Sequence, residues 1–177
     1  MPPHTVRRAT SAADLAAAYH LVHDEYVRAG YILASPTGIR ERSAETAGNM
    51  VTFIAEADDR LVGIVSVVQD SVAYGLPSDH AFGDELATLR TQGTVAEVTN
   101  LVIVPGSDRR ILFGLTSECL AQVIEWGCAK VFVAISPKHA RFWQRAFAFE
   151  PVGAPRSYSE TTPDIVQGMA FTVPREG

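Results

Sequence analysis

Only two cysteines, Cys119 and Cys128, occur in 177 residues. That scarcity excludes a disulfide framework and leads us to expect a reduced, cytoplasmic protein. No run of about 18 apolar residues is present, so no transmembrane helix is expected. The basic residues near the start have no apolar stretch behind them, and no secretory leader is expected. Positive charge is also short. The net charge is −5, which argues against chain-wide attraction to nucleic acid or anionic membrane. Metal ligands are sparse. His20 and His23, with Asp24, lack a third ligand at metal-site spacing, so no metal centre is expected. Repeats and low-complexity linkers are missing too. What is present is apolar substance: 47% hydrophobic residues, enough for one domain, 1–177, with a real core.

The apolar pattern alternates between the two regular periods. Residues 4–9 read as a strand. Ser11 and Asp14 form a capping box, and Leu15, Tyr19, Val22 and Tyr26 follow at helical spacing as far as Gly30. Residues 38–47 have weak helical potential. Val51–Ala57 and Leu61–Val68 predict a hairpin around Asp58-Asp59-Arg60. Pro77-Ser78-Asp79 opens a helix with Phe82, Leu86 and Leu89 on its apolar face and Gly93 at its C′ position. Residues 95–104 read as a strand covered on both faces. Ser107 is the expected N-cap of a helix over 108–126, which stops at Gly127. Val131–Ile135 is a further strand. Ser136-Pro137 starts a helix that runs to Phe147, and strands follow at 149–157 and 166–173. The order βα, ββ, α, β, α, β, α, ββ predicts a mixed α/β sheet in one domain.

The chemistry concentrates in Glu97-Val-Thr-Asn-Leu-Val-Ile-Val-Pro105 and the Gly106-Ser-Asp-Arg-Arg110 that follows. Glu97 is one acid on a buried strand. An amine is mostly protonated at neutral pH and cannot attack until a base accepts a proton, and a nearby carboxylate can be that base. Burial at the sheet centre is expected to raise its pKa. The competing reading is a structural glutamate. Arg109 and Arg110 stand at a helix start, where a positive dipole end disfavours cations unless an anion is bound. They are therefore candidates for holding a phosphate. Together these features suggest transfer of an acyl group from a phosphate-bearing thioester to nitrogen. The two cysteines show no neighbouring base, so direct transfer is preferred to an acyl-cysteine.

Three segments carry a resemblance. They are Tyr19 to Ile32; Phe82 to Arg90 together with Glu97-Val-Thr-Asn-Leu101; and Pro137-Lys-His-Ala-Arg-Phe-Trp143 leading to Ala148-Phe-Glu-Pro151. In this order they resemble FeeM-type N-acyl amino acid synthases, relatives of the acyl-homoserine-lactone synthases, over roughly residues 5–173. The resemblance implies a GNAT-like mixed sheet that splays at its centre. It also implies a long acyl chain carried on phosphopantetheine, whether of an acyl carrier protein or of coenzyme A. The acceptor implied is the amine of an amino acid or a similar small molecule. No tightly bound cofactor is implied.

On that resemblance, Glu97 is the general base. A backbone N–H between Leu101 and Ile103, with Val102 the first choice, holds the oxyanion. The donor runs along Ile103 and Val104 to Arg109, Arg110 and Gly114. Tyr26, Tyr31, Thr99 and Asn100 shape the amine pocket, although a regular strand would point Asn100 away from the face that Glu97 and Thr99 share. Trp143 stands where many acetyltransferases have a tyrosine that protonates the leaving thiolate, a task an indole cannot perform. Tyr158 is the alternative acid. The lactone synthases' basic residue is missing at Asn100 and their arginine near Val22, which argues against an S-adenosylmethionine substrate. Lys138, Arg141 and Arg145 share one helix face and either meet an acidic carrier protein or are simply solvated. Phe142, Trp143, Phe147 and Phe149 fit a core or an acyl tunnel equally well. Two rivals remain at this level: a short-chain coenzyme A N-acetyltransferase, and a non-catalytic acyl- or ligand-binding module on the same scaffold.

Overall fold

The computed structural model describes residues 4–40, 48–159 and 164–174. One seven-stranded sheet runs through them. Strand β1 is His4–Arg8, β2 Met50–Ala57, β3 Arg60–Gln69, β4 Val95–Ile103, β5 Lys130–Ile135, β6 Glu150–Ser157 and β7 Ile165–Thr172. The spatial order is β1-β2-β3-β4-β5-β7-β6. Every neighbouring pair is antiparallel except β4–β5. Four helices cover it: α1 Ala12–Arg28, α2 Asp79–Arg90, α3 Arg110–Glu125 and α4 Pro137–Phe147. The architecture is the mixed, helix-flanked α/β sheet that the apolar periods predict.

Local signals set most boundaries. Ser11 accepts the Asp14 N–H at 3.0 Å, and Asp14 accepts the Ser11 N–H at 3.4 Å, closing the capping box of α1. The β2–β3 turn places Asp58 and Asp59 at φ 49° and 58°, the paired left-handed geometry of a tight hairpin. Gly127 ends α3 at φ 66°, with its N–H on the Ile124 carbonyl and the Cys128 N–H on Val123, a Schellman closure.

Two expected caps differ. The cap of α3 is Arg109, not Ser107, and the Asp108 carboxylate accepts the Arg110 N–H at 2.9 Å. Helix α2 ends at a Thr91 cap, so Gly93 lies one residue beyond C′, at φ 134°. Of the weak helical stretch 38–47, residues 38–40 are not helical and 41–47 lie outside the described residues.

The two sheet faces have separate cores. Helices α3 and α4 cover one, where Ile111, Leu115, Val123 and Trp143 pack on Val67 and Val98. On the other, α1 buries Ala18, Tyr19 and Val22 against Ile64 and Val102, and α2 buries Phe82, Leu86 and Leu89 against Val95 and Phe132. Each such fully buried side chain contributes about 1.5–3 kcal/mol. Among the described residues no helix is long and apolar enough to cross a membrane.

A clamp fixes the loop before α2. Arg90 donates to Asp70 at 2.6 and 3.0 Å and to Asp79 at 2.7 and 2.9 Å. Burial alone would raise the Asp79 carboxyl pKa, but the hydrogen bonds from Arg90 and the Leu76 N–H outweigh it and hold the pKa below the usual range. Arg90→Ala is expected to lower stability by about 1–3 kcal/mol in urea unfolding. A carboxyl with a depressed folded pKa stabilises above its unfolded pKa, about 4. That contribution fades as pH falls through the folded value. The wild-type urea midpoint should therefore drop below about pH 4, and less steeply in the variant.

Candidate active site

Strands β4 and β5 are bonded only from Val95–Val98 to Lys130–Val133, and beyond that point they part. The cause lies in β4. Thr99 pairs with Ser66 but Val102 pairs with Ile64, so two β4 residues, Asn100 and Leu101, oppose the single Val65. This bulge sets Asn100 at φ 53°, a left-handed backbone that asparagine tolerates better than most residues. A cavity of about 680 Å³ opens at the parted seam.

Glu97 stands at the closed end of the seam and lines that cavity, with only 1% of its surface exposed. Its partner is Ser78. The Ser78 backbone N–H donates to one carboxylate oxygen at 2.9 Å, and its hydroxyl donates to the other at 2.6 Å. Ser78 stands at the N-cap of α2, yet its side chain makes no cap bond and serves Glu97 instead. Tyr158 extends the chain, with its hydroxyl 3.3 Å from Ser78 Oγ. Neither contact was visible in spacing, since Ser78 and Tyr158 lie 80 residues apart.

Tyr26, Tyr31, Thr99 and Asn100, expected around the amine, line this cavity, as does Ile103. Tyr26 and Tyr31 meet edge to face at 5.7 Å, and the Arg40 guanidinium lies 4.7 Å from the Tyr26 ring centre. Arg40 is a cavity residue that the sequence reading missed. The bulge returns Asn100 to the Glu97 face, where it donates to Ser66 Oγ at 3.4 Å, against the regular-strand expectation.

Val102 requires a correction. The Val104 N–H donates to the Val62 carbonyl at 2.9 Å. Strand alternation puts the Val102 N–H on that same edge, toward its partner Ile64 in β3. The N–H groups of Leu101 and Ile103 are the ones that face the open seam, and the residue count through the bulge is what reverses the parity. Val104 likewise spends its N–H on β3. Gly114 sits against β1 rather than the cavity: a Cβ there would lie 3.0 Å from Val6.

Arg109 is exposed at the start of α3. Arg110 is not an open cation, because it pairs with Asp108 through its Nε at 2.8 Å. That guanidinium holds the Asp108 carboxyl at a pKa of about 2. The chain thus supplies one anion of its own at this helix start.

Trp143 is buried under the seam and lines the large cavity. Together with Val98 it also borders a second cavity of about 380 Å³ between α3 and α4, walled by Phe113, Leu120, Phe147 and Phe149. Cys119 lines this apolar space, where burial pushes its thiol far above the usual range. The Cys128 thiol is raised to about 11, chiefly by burial. Thiols in that state are poor nucleophiles at neutral pH.

The model of the family described as "N-acyl amino acid synthase FeeM" matches residues 17–169. Among solved structures, FeeM from uncultured soil microbes shares 24% identity and a TM-score of 0.84, over 98% of this chain and 93% of that one. BjaI, a coenzyme A-dependent acyl-homoserine lactone synthase, shares 17% at a TM-score of 0.69, over 98% and 85%. The ribosomal-protein-S18-alanine N-acetyltransferase of Escherichia coli shares 14% at 0.60, over 99% and 97%. No curated protein matches the chain significantly. A family match over most of the length, on a GNAT-like sheet parted beside a buried acid, makes this chain an N-acyltransferase, and it belongs to the FeeM family of N-acyl amino acid synthases.

Proposed function

We propose that the protein moves a long acyl chain from a phosphopantetheine thioester to the amine of an amino acid by direct attack. The observation that carries this reading is the open seam, with Glu97 on one side and an apolar cavity adjoining the other. Glu97 takes a proton from the amine nitrogen, directly or through one water. A backbone N–H of Leu101 or Ile103 holds the developing oxyanion, an interaction typically worth about 3 kcal/mol of barrier. The acyl tail passes Val98 and Trp143 into the second cavity, each methylene adding about 0.8 kcal/mol. Arg109, with Arg110 and the loop before α3, meets the donor's phosphate. A thiol pKa near 8.5 makes the thiolate a good leaving group that needs little protonation, and Tyr158, whose hydroxyl lies 3.3 Å from Ser78 Oγ, is the candidate acid.

The carrier is either an acyl carrier protein, docking on the exposed Lys138, Arg141 and Arg145 of α4, or coenzyme A. FeeM's description as an N-acyl amino acid synthase and BjaI's as coenzyme A-dependent support the two halves of the reaction. The test is an acceptor and donor panel. The twenty amino acids are offered with dodecanoyl and acetyl thioesters of coenzyme A and of carrier protein, and products are read by mass spectrometry. N-dodecanoyl amino acids formed at least tenfold faster than N-acetyl ones are expected. Acetyl transfer dominating the panel would overturn the long-chain assignment.

A further inference from the structure

The bulge in β4 leaves one buried acceptor atom unanswered. Asn100 lines the large cavity and is 1% exposed. Its Nδ2 donates to Ser66 Oγ, which lies 2.8 Å from Thr52 Oγ1. Its Oδ1 has no hydrogen-bond partner among the described residues. A buried carbonyl oxygen without a partner is costly, and in a native site it calls for an explanation such as a catalytic role. The backbone holds the side chain in place. At φ 53° the residue is fixed by a two-against-one register, with its amide anchored to β3.

Resting on the acyl-transfer reading above, we infer that Asn100 Oδ1 accepts a hydrogen from the attacking nitrogen, so that the site selects primary amines over secondary amines and alcohols. The hydrogen count decides this. When the neutral amine's lone pair bonds to the thioester carbon, the carbonyl π pair moves to oxygen and the nitrogen becomes positive. A primary amine then carries two hydrogens. One passes to Glu97 and the other remains in the amide, held by Oδ1. The adduct collapses as the C–S bond pair leaves on sulfur, and the thiolate takes up the proton that Glu97 received, relayed through water or Tyr158, which gives the thiol and restores the carboxylate. A secondary amine at that stage has one hydrogen, and so has an alcohol. The base takes it, and none is left for Oδ1. A polar site discriminates strongly against a substrate that cannot fill its hydrogen bonds.

The test compares kcat/KM, with dodecanoyl-CoA as donor, for the most productive amino acid of the panel and for its N-methyl derivative. Asn100→Gly removes the side chain at a left-handed position that glycine accepts without strain. Asn100→Asp keeps an acceptor oxygen and the volume. The Gly variant should lose roughly ten- to a hundredfold on the primary amine, the scale of a hydrogen bond to a charged group, and about threefold or less on the N-methyl acceptor. The Asp variant should keep the primary preference. An unchanged preference in Asn100→Gly overturns the inference while leaving acyl transfer intact. A preference lost equally in Asn100→Asp also overturns it, and assigns the amide a donor role instead. No acylated product from the wild type with any amine sinks both readings together.

Discussion

Glu97→Gln is expected to lower turnover by about 10²- to 10⁴-fold, the range for loss of a positioned general base. The KM for the acyl donor should stay within about threefold, because the proposed mechanism seats the donor along the seam and the α3–α4 side rather than on the carboxylate. The change is isosteric but not silent. Ser78 points two donors at this side chain, and a glutamine answers both with an amide NH₂ at one of its two positions. A melting curve therefore belongs beside the kinetics. A modest fall in melting temperature with a large fall in kcat fits the base assignment. Retention of full turnover would leave Glu97 a purely structural acid, held by the loop before α2. Raising the pH separates the two cases further. A missing base is partly compensated as hydroxide takes over its proton, whereas a collapsed site is not.

Ala146→Phe should cut kcat/KM for a dodecanoyl donor by about a hundredfold while sparing a butanoyl donor. Ala146 lies exposed on α4 and borders the second cavity, so a phenyl ring there can fill the space without displacing a core residue. If four methylenes lose their seat at about 0.8 kcal/mol each, the penalty is about 3 kcal/mol. Competition between the two donors in one tube reads the ratio directly. Equal losses on both chains would signal a distorted helix. No loss on the long chain would place the tail elsewhere, and the apolar space between α3 and α4 would need another explanation.

Much of this was legible because it is written in local chemistry. Ser11 and Asp14, Asp58-Asp59, Gly127 and Ser136-Pro137 each announce their element through short-range bonds and allowed dihedrals. Glu97 was legible as an acid out of place in an apolar strand. The parity of β4 was not. It depends on where β3 runs out of register, and the Asn100–Leu101 bulge reverses which edge each later N–H faces. Hence Val102 gives way to Leu101 and Ile103, and Asn100 comes round to the Glu97 side. Ser78 was hidden because its partner Glu97 is 19 residues away on another element. Arg40 had no periodic signal at all. At the start of α3, two arginines suggested a vacancy for an anion, but Asp108 between them and the strand supplied one from within.

The two cores on opposite faces of the sheet give the parted strands a larger meaning. A sheet is normally an unbroken wall, and here it has a single slot. Glu97, Asn100 and Trp143 all border the cavity at that slot, and the apolar recess beyond Trp143 lies between α3 and α4. On the proposed mechanism, an amine in the large cavity and an acyl tail lodged in that recess would meet at the slot. Neither would then have to leave for the other to be replaced, and the sheet itself would keep a greasy tail and a polar head from competing for one doorway.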